Sequence, residues 1–119
     1  MEINLRNYAH LGDAVWELFV RENIIEQCQN PKDLHKQTTT KVNCNYQASM
    51  LSQIESELTE EEEDLKRRAR NMPVPIARRN NQSEYRQATA FEALIGYWYK
   101  EDKQRLAYIF EKLLSEIKN

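Results

Sequence analysis

Apolar residues in the first quarter of the chain recur at every third or fourth position. They stand at Tyr8, Leu11, Val15, Leu18 and Phe19. This spacing is that of an amphipathic helix, and Ala14, Trp16 and Val20 widen the apolar stripe until it covers most of the helix surface. The pattern therefore predicts a helix over residues 8–25 that is packed on more than one side.

Helix start signals divide the next part of the chain. Asn30 is a good N-cap, Pro31 suits the first helical position, and acidic Asp33 favours the first turn. A helix is therefore expected to begin at Pro31. The three consecutive threonines at 38–40 lose side-chain freedom in a helix, so we expect a break or a bend before a second helical segment over residues 41–54.

A capping box and a proline-containing loop follow. Thr59 and Glu62 have the spacing at which two residues satisfy each other's backbone N–H groups, so a helix is expected over residues 60–70. Residues 71–81 contain Pro73 and Pro75, which is typical of a long loop.

Two more helices are predicted at the C-terminal end. Ser83 is expected to cap a helix over residues 84–100, and Asp102 to cap a final one. The final helix is amphipathic, with apolar residues on one side at Leu106, Ile109, Phe110, Leu113, Leu114 and Ile117.

Composition agrees with an all-helical (all-α) bundle. The chain has 119 residues, of which 40% are hydrophobic and only two are glycine. So little glycine argues against the many tight turns that β-sandwiches and β-barrels need. The length fits a single domain over residues 1–119, which is large enough to bury a core without disulfides or a structural metal.

Cysteines, histidines and apolar runs exclude several other classes of protein. Cys28 and Cys44 have no second cysteine at metal-binding spacing, and His10 and His35 do not complete a four-ligand set, so we expect no zinc site. The N-terminus lacks the apolar segment of a signal peptide, and the longest uncharged apolar run, residues 93–99, is too short to cross a membrane. We therefore expect a cytoplasmic protein with no membrane partner.

Positive charge is concentrated in one segment. Residues 66–86 carry a net charge of +6 and, since the whole chain carries −2, the rest of the chain carries −8. The seven basic residues are Lys66, Arg67, Arg68, Arg70, Arg78, Arg79 and Arg86. Such a segment is typical of a surface that binds a polyanion. The structural alternative is that acidic residues at the start of helix 60–70 and basic residues at its end match the helix dipole.

Two carboxylates stand in unusually apolar stretches. Asp13 lies within the first predicted helix, and Glu92 is the only charged residue of the stretch 88–96. An ionised carboxylate is costly to bury unless it is paired or bound to a cation, so the two could share a metal. They could also point outward or pair with an arginine such as Arg21 or Arg86. The chain's two glycines, at positions 12 and 96, lie near them and mark places where another backbone comes close.

Both carboxylate segments resemble ribonuclease III catalytic domains. Residues 11–18, Leu-Gly-Asp-Ala-Val-Trp-Glu-Leu, are similar to the signature helix of that family, and residues 91–96, Phe-Glu-Ala-Leu-Ile-Gly, to its second metal-binding helix. Segments 34–39 and 85–90 resemble more narrowly the Mini-III branch, a short bacterial form without a double-stranded-RNA-binding domain. The resemblance covers nearly the whole chain, and we expect no such domain after residue 119.

The resemblance implies a helical homodimer with an active site in each subunit. Asp13 and Glu92 would be the catalytic residues and the metal ligands, holding Mg²⁺ or Mn²⁺ with waters in the remaining positions. The implied reaction is hydrolysis of double-stranded RNA to 5′-phosphate ends, and the implied substrate is the precursor of large-subunit (23S) ribosomal RNA. Segment 66–86 is the expected RNA contact. His10 and Gly12 are expected at the dimer interface.

The chain departs from the larger family at positions 9 and 89. Ribonuclease III enzymes generally carry carboxylates there, whereas this chain has Ala9 and Thr89. Thr89 fits the Mini-III pattern, but the number of metal ions stays open. One alternative is therefore a nuclease-fold protein that binds duplex RNA and cuts it weakly or not at all, and another is a helical interaction module. Glu17 could support Asp13, although a surface pair with Arg21 is the simpler explanation.

Overall fold

The computed structural model describes residues 4–118 and contains six α-helices, with no strand among those residues. The helices are α1 (Leu5–Ile24), α2 (Pro31–Thr39), α3 (Cys44–Ile54), α4 (Glu60–Arg70), α5 (Gln82–Glu101) and α6 (Lys103–Lys118). Short 3₁₀ turns follow α1 and α3, and a longer one, Ile76–Asn81, leads into α5. The predicted all-helical class is confirmed. None of the described helices is both long and apolar enough to cross a membrane.

Helix α5 lies at the centre of the fold. It packs most extensively against α1 and then against α3 and α4, while α6 contacts α1, α3 and α5. Trp16 of α1 meets Phe91 of α5 edge to face, with 5.0 Å between the ring centroids. A helix enclosed on so many sides needs an almost wholly apolar sequence, which makes Glu92 the exception in its central part.

Helices α1 and α5 cross at the two glycines. A Cβ atom on Gly12 would overlap the carbonyl oxygen of Glu92, and one on Gly96 would overlap that of Tyr8. Only glycine lets two backbones approach this closely. The expectation that both glycines mark close helix contacts is confirmed, and the crossing holds the two helices together next to Asp13 and Glu92.

Several predicted helix starts are present. The side chains of Asn30 and Asp102 each accept a hydrogen bond from the backbone N–H three residues further on, at 2.8 and 3.1 Å. Thr59 and Glu62 make both hydrogen bonds of the capping box. A break follows the threonines, although Thr38 and Thr39 still belong to α2 and the next helix, α3, begins at Cys44 and not at residue 41. These signals are reliable because each depends on residues within one helical turn.

The starts of α1 and α5 differ from the prediction. Helix α1 begins at Leu5, because the side chain of Asn4 caps it by accepting a hydrogen bond from the backbone N–H of residue 7 at 3.2 Å. The second half of the predicted loop is the 3₁₀ turn Ile76–Asn81, which runs directly into α5. Ser83 therefore lies inside the first turn of α5 and does not cap it. Because the 3₁₀ turn is continuous with α5, the helix begins one residue before Ser83.

Candidate active site

The α1–α5 crossing brings Asp13 and Glu92 together. Gly12, which precedes Asp13, lies against the backbone of Glu92. The two carboxyl groups are close enough to share a hydrogen bond. Both line an open cavity of about 460 Å³, whose other walls come from α3 and from the 3₁₀ turn before α5. We call these two residues the carboxylate pair.

The two members of the pair differ in exposure. Asp13 is exposed, as in the alternative in which it points outward, because its apolar sequence neighbours Val15 and Trp16 face the core from other sides of α1. Glu92 is half-buried and accepts a hydrogen bond from Nε2 of Gln47 at 3.3 Å. Burial, and next the contact with the Asp13 carboxyl, raise the pKa of Glu92 to about 9. With no cation beside it, this carboxyl keeps its proton at neutral pH.

Neither carboxylate forms an ion pair with an arginine among the described residues. Arg21 pairs with Glu17 at 3.1 Å, so the simpler explanation of Glu17 is confirmed. Arg86 donates hydrogen bonds to the backbone carbonyls of Arg70 and Met72, at 2.7 and 3.1 Å. The alternative in which Arg21 or Arg86 neutralises the pair is therefore wrong.

A second cavity, of about 190 Å³, also includes the carboxylate pair. Both cavities are lined by Tyr85 and Thr89 as well. The smaller one adds Arg6 and His10 of α1, whereas the larger one opens towards α3. The pair is thus accessible from two adjoining cavities.

The pair contributes only two acidic side chains. No group of three or more Asp, Glu, His or Cys side chains between residues 4 and 118 is arranged to hold a metal ion. Magnesium usually keeps several waters and binds proteins through one or two carboxylates. The chemistry of the pair therefore fits a hard, hydrated divalent cation whose remaining ligands are water or substrate oxygens.

The seven basic residues of segment 66–86 do not share a surface. Lys66 is only 7% exposed and is ion-paired with two glutamates at 2.8 and 2.9 Å, which corrects its expected place in an RNA contact. Arg67 and Arg68 both face Asp64 on the exposed side of α4. Arg70 is half-buried at the end of the same helix. In this part of the segment the contacts match the structural alternative, in which the charges support α4.

Arg78 and Arg79 stand apart from the other basic residues. Both are exposed in the 3₁₀ turn Ile76–Asn81, and Arg78 lines the larger cavity beside the carboxylate pair. The Arg78 guanidinium lies 5.7 Å from the ring centroid of Tyr85, within the range of a cation–π contact. Within segment 66–86, Arg78 is thus the basic side chain that lines the larger cavity.

His10 and Gly12 occupy different environments. His10 is exposed at the smaller cavity, and its place in a dimer interface stays a prediction. Gly12 is buried at the crossing with α5 of the same chain. That contact is sufficient to explain the glycine without a second subunit.

Two residues at the site escape prediction from the sequence, Gln47 and Tyr85. Gln47 is 2% exposed, and nothing in its sequence surroundings marks it, because a polar residue of an amphipathic helix normally faces water. Tyr85 lies four residues before Thr89 and seven before Glu92. This helical spacing puts all three on one face of α5 and could have identified Tyr85.

Comparison with known proteins gives consistent results. Residues 6–103 match the model of the ribonuclease III domain family. The chain is 41% identical over 107 residues to the Mini-ribonuclease 3 of Gloeobacter violaceus, covering 90% of this chain and 79% of that protein. It is 37% identical to the Mini-ribonuclease 3 of Thermosynechococcus vestitus, covering 93% and 74%. A crystal structure of a Fusobacterium nucleatum protein, 32% identical, superposes with a TM-score of 0.83 over 97% of this chain and 94% of that one.

Proposed function

Since the chain belongs to the ribonuclease III domain family and is an endoribonuclease, we propose that it hydrolyses double-stranded RNA at the carboxylate pair in a reaction that depends on a divalent metal ion. The observation that carries this proposal is the meeting of Asp13 and Glu92 in an open cavity with no arginine or lysine paired to either of them among residues 4–118. Two adjacent carboxylates repel each other when both are ionised, and a bound cation removes that repulsion.

The carboxylate pair suits Mg²⁺, and Mn²⁺ as a substitute. Both are hard cations that prefer oxygen ligands. The raised pKa of Glu92 indicates a carboxyl whose ionised form lacks stabilisation in the metal-free protein. When bound, such a metal supplies an activated water and neutralises charge on the phosphate. Asp13 and Glu92, which line both cavities, would hold it.

The RNA contacts proposed for this chain are centred on Arg78 and Arg79. They are exposed, and Arg78 lines the cavity of the pair. A-form duplex is recognised mainly through phosphates and 2′-hydroxyls, for which guanidinium groups are suitable donors. The exposed arginines of α4, Arg67 and Arg68, are a second and weaker candidate, because Asp64 already faces both. The buried Lys66 and the internally bonded Arg86 are left out of the proposed surface.

The biological setting is also proposed. The chain would act in the cytoplasm as a homodimer whose subunits each form one catalytic domain over residues 1–119. Its substrate would be the precursor of large-subunit ribosomal RNA. These assignments rest on the likeness to the Mini-III branch. The sequence identity to named Mini-ribonuclease 3 proteins supports the part of this likeness that concerns ribonuclease activity.

A cleavage assay on one RNA sequence in two forms tests the proposal. The protein is incubated with a long duplex and with the separate strands, in Mg²⁺ or in excess chelator. We expect the duplex to be cut in the presence of Mg²⁺ and not in chelator, and the products to carry 5′-phosphate ends. Equal cutting of single strands would reject the duplex specificity, and cutting in chelator would reject the metal.

A second candidate is a protein that binds duplex RNA without cutting it efficiently. The replacement of two family carboxylates by Ala9 and Thr89 favours this alternative. It predicts salt-sensitive duplex binding with no metal-dependent cleavage in the same assay.

A further inference from the structure

Gln47 is a buried polar side chain at the carboxylate pair. It lies on α3, is 2% exposed, and lines the larger cavity. Its one side-chain hydrogen bond within residues 4–118 goes from Nε2 to Oε2 of Glu92, at 3.3 Å. Helix α3 therefore reaches the pair from a third direction, in addition to α1 and α5.

The other three polar residues that are buried as a whole among those described have structural partners. The hydroxyl of Thr38 donates to the carbonyl of Leu34 in its own helix at 2.7 Å. Glu62 and Lys66 are held in ion pairs. Among the buried polar residues described, Gln47 is thus the one that bonds to the carboxylate pair.

Packing does not require an amide at this position. The other buried residues of α3 are Met50, Leu51 and Ile54, all apolar. An unbranched apolar side chain would fill similar space, whereas an amide taken out of water must have its hydrogen bonds replaced by the protein. The bond to Glu92 is what the amide contributes at this position.

We propose that Gln47 is a positioning residue that fixes the Glu92 carboxylate for divalent-cation binding, and this inference rests on the proposed function. The bond restrains Oε2 of Glu92, whose carboxyl group also meets that of Asp13. Residues that hold a metal ligand in place through a hydrogen bond reduce the cost of ordering that ligand. The restraint matters more where the acidic side chains are few, and here positions 9 and 89 supply none.

The first test measures metal binding without RNA. Manganese binding is followed by calorimetry in the wild-type protein and in Gln47→Met, which has similar length but no hydrogen-bonding group. Loss of a residue that orients a metal ligand typically weakens metal binding by about 10–100-fold, so we expect a loss in that range. The matched control is Thr38→Val, which changes an equally buried polar residue outside the site and should leave manganese affinity unchanged.

A second readout separates positioning from stability. For Gln47→Met, the Mg²⁺ concentration that gives half-maximal cleavage should rise about 10–100-fold, while KM for duplex RNA measured at saturating Mg²⁺ stays unchanged. High Mg²⁺ should restore most of kcat, because the ligands are still present. A residue that only supports packing would lower the melting temperature without moving the Mg²⁺ midpoint.

A shorter amide covers the case in which Gln47→Met does not fold. Gln47→Asn keeps the amide but is one methylene too short for the same bond, so we expect weaker manganese binding here as well. Unchanged manganese affinity in both folded variants, or in Gln47→Asn alone, would overturn the inference. If the wild-type protein itself neither binds manganese nor cuts RNA, the proposed function fails, and that outcome is distinct from a failure of the Gln47 role alone.

Discussion

Glu62 on α4 is buried and Glu92 on α5 is half-buried, but the surroundings of the two carboxyl groups are opposite. The Glu62 carboxylate accepts two hydrogen bonds from Arg105, at 2.8 and 2.9 Å, and one from Nε1 of Trp98 at 2.8 Å. It also completes the capping box with Thr59. Glu92 meets a second carboxyl group and a single amide donor.

The pKa values follow these surroundings. Burial raises the pKa of Glu62, but the hydrogen bonds from Arg105, from the backbone of Thr59 and from Trp98 outweigh it, so that this pKa lies below its ordinary value. For Glu92, burial and the neighbouring Asp13 act in the same direction, and the pKa rises to about 9. A buried carboxylate therefore indicates function only when the chain leaves its charge unmatched.

The largest expected difference between the two sites is in catalysis. Asp13→Asn and Glu92→Gln keep side-chain shape but remove ligand charge, so each should slow cleavage about a thousandfold or more, equivalent to about 4 kcal/mol of barrier. Glu62→Gln should stay within a few-fold of wild type. Single-turnover cleavage at saturating RNA measures this. Near-normal rates for Glu92→Gln would show that the pair is not the metal site.

The next largest effect is expected on stability, from a substitution at Gly12, where α1 and α5 cross. Gly12→Ala places a Cβ against the carbonyl oxygen of Glu92, so α1 and α5 must separate. We expect a loss of about 3 kcal/mol of unfolding free energy, together with slower cleavage, because Glu92 moves with its backbone. Denaturant unfolding measures the loss. Ala107→Leu, which adds more bulk on the exposed side of α6, is the control and should cost under about 0.5 kcal/mol.

The order of the two glutamates should be reversed when stability is measured: Glu62→Gln should lower the unfolding free energy more than Glu92→Gln does. Glu62→Gln weakens charge-assisted bonds to Arg105 and should lower the unfolding free energy by about 2 kcal/mol. Glu92→Gln removes a group that opposes Asp13 and should leave the metal-free protein equally stable or slightly more stable. Denaturant unfolding of both variants in chelator checks this. Equal losses in the two variants would remove the distinction between a matched and an unmatched carboxylate.

The two sites should also respond to pH in opposite ways. The pKa of Glu92 is higher in the folded than in the unfolded protein, so the folded state holds more protons and metal-free stability falls as pH rises from about 4.5 to about 9. The pKa of Glu62 is lowered, so its contribution is present above the ordinary glutamate pKa and is lost as the solution becomes more acidic. Glu92→Gln should flatten the alkaline slope and Glu62→Gln the acidic one. Thermal melts across pH, in chelator, measure both slopes.

The smallest expected effect is on the salt dependence of RNA binding, and it compares the exposed arginines of the 3₁₀ turn near Glu92 with those of α4, the helix that carries Glu62. Replacing Arg78 and Arg79 by alanine should reduce the slope of log affinity for duplex RNA against log salt by roughly 0.9 for each phosphate that the protein no longer neutralises. Replacing Arg67 and Arg68, beside the acidic start of α4, should change it less, because Asp64 already faces them. Binding is measured with the Asp13→Asn protein to prevent cleavage. If both double variants have the same slope, the 3₁₀ turn is not the preferred RNA-binding surface.

Local sequence signals account for much of the fold and for part of the site. The predicted helix caps at Asn30, Thr59 and Asp102 are confirmed, since the backbone N–H groups that they bind lie within one turn of each cap. Glu92 is conspicuous for the same local reason, as the one charge in an apolar stretch. The glycines at 12 and 96 indicate a close backbone contact, but they do not indicate which helix makes it.

The sequence by itself determined the helices, their caps, the family likeness and the two carboxylates, because these depend on neighbours along the chain. Only the tertiary structure decided which charges are matched. Lys66 belongs to a basic run in sequence but is buried between two glutamates, one of them eleven residues away. Gln47 lies 45 residues from Glu92 and meets it only because α3 packs on α5. Such pairings depend on how helices pack against each other, and the periodicity of a single helix carries no information about its partner.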